Sequence, residues 1–251
     1  MPIKAVTFDL WDTIVDDDSD EPKRQAQGLL SKKLERRRLA WAALNAVEAI
    51  DQATVDLAYD VTHAASDLVW RQNHINWTVT QFFDVLLNGL GRKLPDADKA
   101  KLIEDIGRME VDLPPDVVPG IAEAIAELST RYKLCIVSDT IVTPGTGLRK
   151  ILDHYGVGQY FDGFAFSDEV GRSKPNRAMF DSAAAQLGVE LSEIVHIGDR
   201  EANDVKGPQA LGAKAILFTA ARADDKQGSV ADAICERASD LAQIIDQLAS
   251  A

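Results

Sequence analysis

The sequence predicts an α/β fold in which helices flank a Rossmann-like parallel sheet and an all-helical cap is inserted after the first strand. Two observations support this prediction. From Pro114 onward, short apolar runs alternate with helical patterns, as expected for parallel β-α units. Between about Arg24 and Val111 the pattern is helical almost throughout, and no strand is needed there. We therefore expect residues 1–14 and 114–251 to form the core and residues 15–113 to form the cap.

The first strand is expected in the run IKAVTFDLWDT, residues 3–13. Ala5, Val6 and Phe8 suit a strand that is buried on both faces, which is typical of parallel sheets covered by helices. Ligands bind such sheets at the carboxyl ends of the strands, where Asp9 would lie. Taken alone, this run is equally consistent with an ordinary turn that is rich in aspartate.

Four helices are predicted in the cap, after an acidic run at residues 16–21 that we interpret as a solvated loop. The first carries an apolar face at Leu30, Leu34, Trp41 and Leu44, and the others span residues 55–70, 79–90 and 96–109.

Arg37 lies in register with the apolar residues of the first predicted helix. Its stem could pack while the guanidinium reaches water or an acid, or the guanidinium could face an anionic substrate. Arg36 and Arg38 are neighbours that could bind the anion instead. Arg37 is therefore a candidate substrate-binding residue.

The core is predicted to continue with strands at residues 134–137, 161–166, 194–197 and 215–218, and with helices at 117–128, 147–155, 178–187, 203–211 and 241–248. Residues 230–240 lack a clear period, and no element is assigned to them.

Several polar residues fall just after a predicted strand or in the loop that leads away from one. Because parallel strands end at one edge of the sheet, we expect these residues to converge. Carboxylates gathered there would repel each other unless a cation neutralised them, and oxygen ligands of this kind suit Mg²⁺. A carboxylate beside Mg²⁺ and a lysine could attack an electrophile such as phosphorus. The residues are Asp9, Ser138, Lys174, Asp199 and Asp204.

The composition excludes some classes of partner. A formal net charge of -13 argues against a nucleic-acid groove, but it does not exclude a small anionic substrate bound by a few cations. No leader and no membrane-spanning run is recognised, so no membrane partner is expected. Cys135 in a strand-like run and Cys235 in a helix-like tail do not suggest a disulfide framework, which favours a reduced cytoplasmic protein. Both a monomer and a homodimer remain open.

Four motifs stand in an ordered series: FDLWDT at residues 8–13, IVSD at 136–139, VGRSKP at 170–175 and IGDREAND at 197–204. With these motifs the sequence resembles the haloacid dehalogenase superfamily, specifically its phosphatase-like members with a helical cap inserted after the first motif. The resemblance is densest over residues 160–217. The helical region between the first two motifs matches the family only in its placement and predicted helicity.

The resemblance implies a metal-dependent hydrolase. Asp9 would be the nucleophile and the first metal ligand, and the backbone carbonyl of Trp11 would be the second ligand. Asp199 and Asp204 would hold Mg²⁺ directly or through water.

The resemblance also implies roles at the substrate. Ser138 would donate a hydrogen bond to a phosphoryl oxygen, and Lys174 would neutralise charge on the nucleophile and the substrate. Asp139, in the same motif as Ser138, is a further candidate for substrate binding. Thr13 would mainly stabilise the turn after the first strand.

Trp11 departs from the pattern of the phosphatases. They usually place a second aspartate there, which protonates the leaving group and then activates water, and an indole can do neither. Asp12 follows directly, but on an extended segment its side chain would point the other way.

Three functions therefore remain open. We expect a Mg²⁺-dependent hydrolase of a small phosphorylated compound with a good leaving group. One alternative is a dehalogenase, because the related 2-haloacid dehalogenases carry an aromatic residue at this position, although they work without a metal. The other is a metal-binding but poorly catalytic relative that binds a ligand or partner.

Overall fold

A parallel sheet of six strands forms the centre of the computed structural model, which describes residues 2–250. The spatial order is β3-β2-β1-β4-β5-β6. The strands are β1 Ala5–Phe8, β2 Lys133–Ser138, β3 Gly163–Phe166, β4 Ile194–Gly198, β5 Lys214–Phe218 and β6 Ala233–Cys235. In the register of the sheet, Phe8 of β1 pairs with Ile136 of β2 and Ile197 of β4. The carboxyl ends of these three strands are therefore neighbours, as predicted.

The cap segment is helical, and further helices connect the strands of the core. In chain order they are α1 Asp20–Ala26, α2 Lys32–Val47, α3 Gln52–Asn73, α4 Val79–Leu90, α5 Asp96–Gly107, α6 Met109–Asp112, α7 Ile121–Ser129, α8 Gly145–His154, α9 Ser167–Val170, α10 Arg177–Leu187, α11 Gly207–Ala210 and α12 Leu241–Ser250. A π-helix, Glu201–Lys206, leads into α11, and short 3₁₀ turns occupy Gly158–Tyr160, Leu191–Glu193 and Ala238–Asp240.

The two faces of the sheet are covered by different helices. Val6 and Phe8 of β1 pack in one apolar cluster with α7, α8 and α12. Ala5 belongs to a second cluster, which is built around α10 on the opposite face. Adjacent residues of β1 thus enter opposite clusters, which explains why three of its four residues are apolar instead of every second one. The predicted α/β class is confirmed.

The inserted helices have an apolar core of their own. Leu44 of α2, Tyr59 of α3, Phe83 and Leu86 of α4 and Ile106 of α5 are buried together. A separate core is what an independent domain requires. It supports the proposed boundaries of the cap at residues 15 and 113, which stay a prediction.

The prediction for the first helix of the cap was wrong about its extent and about some of the residues on its buried face. The chain forms two helices, α1 and α2, because Gly28 has a φ of 70° between them and Ser31 caps α2 through the N–H of Leu34. Leu30 and Leu34 are therefore exposed, by 42% and 54%.

The face of α2 that is buried contains Lys32, Arg37, Ala40 and Leu44. The expectation that Arg37 shares a face with apolar residues thus holds for Leu44, whereas the leucines nearer the start of the helix point to solvent.

The acidic run at residues 16–21 was predicted to be a solvated loop, which holds for the exposed residues 16–18 but not for Asp20 at the start of α1. Asp20 is fully buried, and its carboxylate lies 2.7 Å from the ammonium of Lys32, which is itself buried. The same ammonium lies 3.0 Å from Glu110 of α6 and 3.1 Å from Asp18. Burial alone would lower the pKa of Lys32, but the charge of Glu110 and the hydrogen bond to Asp20 outweigh it and raise that pKa. This buried ion network joins α1, α2 and α6.

Replacing Lys32 with methionine should lower the free energy of unfolding by about 3–5 kcal/mol, because Asp20 and Glu110 would remain buried without a counter-ion. Chemical denaturation measures this loss. Lys33→Met is the matched control on the next, exposed residue, and it should change stability by less than about 0.5 kcal/mol. Equal effects of the two substitutions would contradict the network.

Three smaller predictions also need correction. The helix expected from residue 117 begins at Ile121, because Val117 bridges to Val15 and Gly120 has a φ of 79°. The helix expected at residues 203–211 is a π-helix followed by one short α-turn. Cys235, expected in a helix, lies in β6, a strand that the sequence pattern did not show. Both cysteines are buried free thiols.

None of the helices between residues 2 and 250 has the length and apolar character needed to cross a membrane.

Candidate active site

Asp9 lies at the carboxyl end of the central strand β1 and is 5% exposed. Its backbone N–H donates to the carbonyl of Ile197 over 2.8 Å, which fixes it against the end of β4. One carboxylate oxygen, Oδ1, accepts a hydrogen bond from the N–H of Leu10 and lies 2.8 Å from the ammonium of Lys174. Burial raises the pKa of Asp9, although Lys174 opposes the shift.

Lys174 brings a buried positive charge to the same point. Its Nζ lies 2.8 Å from Asp9 and 2.6 Å from Asp204, and the residue is 2% exposed. Burial alone would lower the pKa of Lys174, but the charges of Asp204 and Asp9 outweigh it and raise the pKa. Lys174 is therefore a permanent cation beside the carboxylate of Asp9.

Asp204 is held by several donors at once. Its Oδ1 accepts from Lys174 and lies 3.2 Å from Nε2 of His196, and its Oδ2 accepts from the N–H of Arg200. Burial would raise the pKa of Asp204, but Lys174 and the hydrogen bond from His196 hold it well below its usual range. Asp204 is thus an anion whose position is fixed by its surroundings.

Asp199 follows β4 and has fewer partners. Its Oδ2 lies 3.2 Å from the guanidinium of Arg222, whereas its Oδ1 is buried and has no hydrogen-bond partner within residues 2–250. Burial, followed by the negative charges of Asp204 and Asp9, raises the pKa of Asp199 to about 8. The site therefore lacks the positive charge that Asp199 needs.

A bound divalent cation would supply the positive charge that the site lacks. Asp9, Asp199 and Asp204 are buried, and one carboxylate oxygen of each lies within 4.8 Å of the others. Three such carboxylates, one of which has an oxygen without a hydrogen-bond partner, are what a hard cation such as Mg²⁺ binds. The carbonyl of Trp11 accepts no hydrogen bond from the described backbone, so it is free to complete the set.

His196 was missed by the sequence analysis. It is fully buried in β4, where burial lowers its pKa, so the ring is neutral. Nδ1 lies 2.8 Å from the hydroxyl of Thr7, and Nε2 faces the Asp204 carboxylate, which can only accept. The proton must therefore sit on Nε2, and His196 positions Asp204. A histidine inside a buried strand, two residues before a Gly-Asp pair, was the available signal.

Gly198 explains why this pair follows β4. A Cβ atom at this position would overlap the carboxylate of Asp204, so only glycine allows that side chain to lie against the strand end.

Ser138 and Asp139 end the neighbouring strand β2. Ser138 is fully buried, and its hydroxyl has only a long contact of 3.5 Å, to the carbonyl of Asp139. Asp139 accepts from the N–H of Lys174 over 2.9 Å and from the indole of Trp70, in α3, over 3.1 Å. Burial raises the pKa of Asp139 to about 6, although Lys174 lowers it. Asp139 therefore connects the core to the cap.

Trp11 and Asp12 occupy the turn after Asp9. The half-buried indole of Trp11 donates to the carbonyl of Asp139 over 3.3 Å. Asp12 has a φ of 54°, and its carboxylate accepts from the N–H of Asp17. Asp12 does not line the cavity above Asp9, whereas Trp11 does. This turn therefore presents an indole to the cavity and turns the neighbouring carboxylate away from it.

Two cavities adjoin at this site. A cavity of about 180 Å³ covers Asp9, Trp11 and Lys174, and one of about 490 Å³ extends from it into the cap. The residues that line both cavities are Asp18, Lys32, Arg36, Trp70, Ile141 and Val142. Sequence reasoning missed Lys32 and Trp70, because a basic and an aromatic residue on cap helices carry no motif. Arg37 lines only the larger cavity, and its guanidinium is bound to Asp60.

The parallel sheet with a helical cap, and the acidic cluster beside Lys174, are typical of hydrolases of the haloacid dehalogenase type. A family model described as haloacid dehalogenase-like hydrolase matches residues 3–212, and the chain belongs to that family. The predicted resemblance and the prediction of a hydrolase of this superfamily are confirmed.

Curated relatives include phosphatases. The chain is 26% identical over 256 residues to the glyceraldehyde 3-phosphate phosphatase of Methanopyrus kandleri, covering 98% of this chain and 99% of that protein. It is 32% identical over 124 residues to the ribulose-1,5-bisphosphate 5-phosphatase of Halopiger xanaduensis, which covers 49% of this chain and about half, 51%, of that protein.

Solved structures of both predicted reaction types share the fold. A phosphatase from Thermococcus onnurineus has a TM-score of 0.64 at 24% identity and covers 97% of this chain and 98% of its own. A 2-haloacid dehalogenase from Pseudomonas syringae has a TM-score of 0.66 at 19% identity and covers 98% of this chain and 99% of its own. At these identities the likeness concerns the fold alone.

Proposed function

We propose that the chain is a Mg²⁺-dependent phosphatase that uses Asp9 as nucleophile on a small phosphorylated compound with a good leaving group. The observation that carries this proposal is the contact of Asp9 with the buried cation Lys174, in a cluster with Asp199 and Asp204. The two curated phosphatases described above support it, since by their names they act on glyceraldehyde 3-phosphate and ribulose-1,5-bisphosphate.

The two oxygens of Asp9 have different surroundings. Oδ1 is engaged by Leu10 and Lys174, whereas Oδ2 has no hydrogen bond from residues 2–250. Oδ2 is therefore the oxygen that is free to attack phosphorus. A bond forms between Oδ2 and phosphorus while the bond to the leaving oxygen breaks, and water then hydrolyses the aspartyl phosphate.

The other polar residues stabilise charge. Lys174 would neutralise negative charge on Asp9 and on the phosphoryl oxygens. Asp9, Asp199, Asp204 and the Trp11 carbonyl would hold Mg²⁺, which supplies positive charge to the phosphoryl group when bound. Ser138 and Asp139 stay predicted substrate-binding residues at the end of β2.

Mg²⁺ should raise the melting temperature, because it binds the folded acidic cluster and not the unfolded chain. At one hundred times Kd the gain in the free energy of unfolding is about 2.7 kcal/mol. Asp199→Asn should abolish most of this gain without lowering the metal-free stability, since it removes a buried carboxylate that lacks a full partner. Asp98→Asn, on the exposed surface of α5, should leave the gain intact. An unchanged melting temperature across the titration, at fixed ionic strength, would count against the metal site.

Dehalogenation is the second candidate, because Trp11 places an aromatic group over Asp9 and a halide leaves without a proton. A screen of phosphate esters, acyl phosphates and 2-haloacids, each with Mg²⁺ and with EDTA, separates the two. We expect phosphate release that EDTA abolishes. Halide release that survives EDTA would replace the phosphatase proposal, and no turnover of any compound would favour a binding protein.

A further inference from the structure

The larger cavity, about 490 Å³, is big enough for much more than a phosphoryl group. Aromatic side chains from α3 and α4 and from the segment between them form a large part of its wall. Tyr59, Trp70, Trp77 and Phe82 all line it. Flat aromatic surfaces of this kind favour a planar or apolar group, which stacks on them or packs against their edges.

Residues whose polar atoms have no partner also line this cavity. Within residues 2–250 the structure gives no hydrogen-bond partner to the Tyr59 hydroxyl, the Trp77 indole N–H or the Lys33 ammonium, and all three residues line the cavity. Each of these groups can donate a hydrogen bond. A ligand that fills the cavity should therefore carry acceptor atoms.

Most charged residues of the cavity wall are already paired. Lys32 is surrounded by Asp18, Asp20 and Glu110, and Arg37 is bound to Asp60 and to the carbonyl of Lys33. These cations therefore have little positive charge left to offer a ligand.

Arg36 differs from Lys32 and Arg37. Its one ion pair within residues 2–250 is with Glu110, at 3.5 Å, and Glu110 is already engaged by Lys32 and the hydroxyl of Thr143. The Nε atom of Arg36 is buried and has no partner within residues 2–250. Arg36 lines both cavities, so a leaving group that extends from a phosphate bound at Asp9 into the larger cavity would pass this residue.

We propose that the substrate's leaving group carries a planar ring and an anionic group such as a carboxylate, with the ring against the aromatic wall and the anion bound by Arg36. This inference rests on the proposed phosphatase function, which sets the orientation of the substrate: the phosphoryl group occupies the cavity above Asp9, and the leaving group extends into the larger cavity. Arg36 is a specificity residue in this arrangement, and a planar guanidinium suits a carboxylate in two-point contact.

Binding of three phosphonates, which cannot be hydrolysed, tests the inference independently of turnover. Methylphosphonate, benzylphosphonate and 4-(phosphonomethyl)phenylacetate add first the ring and then the carboxylate. Calorimetric titration with Mg²⁺ present should show tighter binding at each step. The carboxylate step should be worth roughly ten- to hundredfold in Kd, as for a hydrogen bond to a charged group.

Substitutions on α2 then identify the side chain that binds the carboxylate of the ligand. Arg36→Gln should remove the carboxylate step and leave the ring step, Arg36→Lys should restore part of it, and Arg38→Gln on the same helix should change neither. Arg38 is exposed, is paired with Glu35 and lines neither cavity. If Arg37→Met or Lys33→Met removed the carboxylate step and Arg36→Gln did not, the assignment to Arg36 would be overturned. Equal affinities for all three phosphonates would overturn the inference as a whole.

Kinetics distinguish this failure from a failure of the proposed function. The leaving group of acetyl phosphate carries neither a ring nor a carboxylate anion, so its hydrolysis reports on the site around Asp9 without the contacts proposed for a larger leaving group. Turnover of acetyl phosphate without any preference for ligands with a ring and a carboxylate would reject the inference and keep the phosphatase. Selective phosphonate binding without turnover of any phosphate would reject the phosphatase and keep the inference about the ligand.

Discussion

Asp9→Asn should reduce phosphate release by a factor on the order of 10⁴ to 10⁶, the largest effect expected of any substitution in this chain. An amide oxygen is a far weaker nucleophile than a carboxylate, and the variant would also lose the charge contact with Lys174. Among residues 2–250 no other carboxylate lies against both Lys174 and the metal cluster with an oxygen free to attack, because Asp204 has both oxygens engaged. Steady-state kinetics with acetyl phosphate and Mg²⁺ measure the loss.

Asp12→Asn is the matched control for this prediction. Asp12 is three residues away in the same turn, but its carboxylate binds the N–H of Asp17 and lies outside the cavity. We expect Asp12→Asn to keep most of the activity. A loss with Asp12→Asn as large as with Asp9→Asn would mean that the turn, and not the nucleophile, is what both substitutions damage.

The second large effect concerns Trp11. Without an acid at this position, an alkyl phosphate must expel a poorly stabilised alkoxide, whereas acyl and aryl phosphates leave as weaker bases. The missing proton transfer is typically worth about 10² to 10⁴ in rate. Activity should therefore fall steeply as the pKa of the leaving group rises. Trp11→Asp should flatten this dependence by improving the poorest leaving groups most.

A series of substituted aryl and alkyl phosphates measures this dependence in both proteins. Because the Trp11 indole also donates to the carbonyl of Asp139, Trp11→Phe serves as the control for loss of that hydrogen bond, and it should keep the steep dependence.

Fast rates that do not depend on the leaving group would show that another acid donates the proton or that chemistry is not rate-limiting. The structure directs the search for such an acid to the four other acidic residues that line the cavity above Asp9, which are Asp17, Asp18, Glu110 and Asp139, and away from Asp12. Asp139 is already bound by Lys174 and Trp70, and Asp18 and Glu110 are paired with Lys32, so Asp17→Asn is the first substitution to make.

The sequence predicted the parts of this molecule that local patterns encode. Ala5, Val6 and Phe8 are buried against the two faces of the sheet, as predicted from a mainly apolar run, and Asp9 stands at the strand end. Asp199 and Asp204 could be placed beside it because parallel strands end at one edge. The overlap that a Cβ at Gly198 would cause shows why a Gly-Asp pair marks this end of β4.

The sequence did not predict contacts between distant segments. Lys32 reads as one more charge at the start of a helix, and only the fold shows it buried between Asp20 and Glu110. The neighbouring arginines of α2 are indistinguishable by composition. Their roles separate only in space, where Arg37 meets Asp60 and Arg36 is left without a full partner.

The short strand β6 was missed because three residues at the edge of a sheet, of which Ile234 is exposed, give no clear alternation. The break between α1 and α2 depends on the positive φ of Gly28, which a helical period does not reveal.

Trapping the covalent intermediate tests the central claim most directly. The protein is mixed with acetyl phosphate and Mg²⁺, quenched in acid within milliseconds to seconds, digested and analysed by mass spectrometry. We predict one phosphoryl group on the peptide that contains Asp9, appearing before free phosphate and decaying at a rate consistent with turnover. Turnover of the same substrate with an unmodified Asp9 peptide at every time point, or with the phosphoryl group on another residue, would contradict the assignment of Asp9 as the nucleophile.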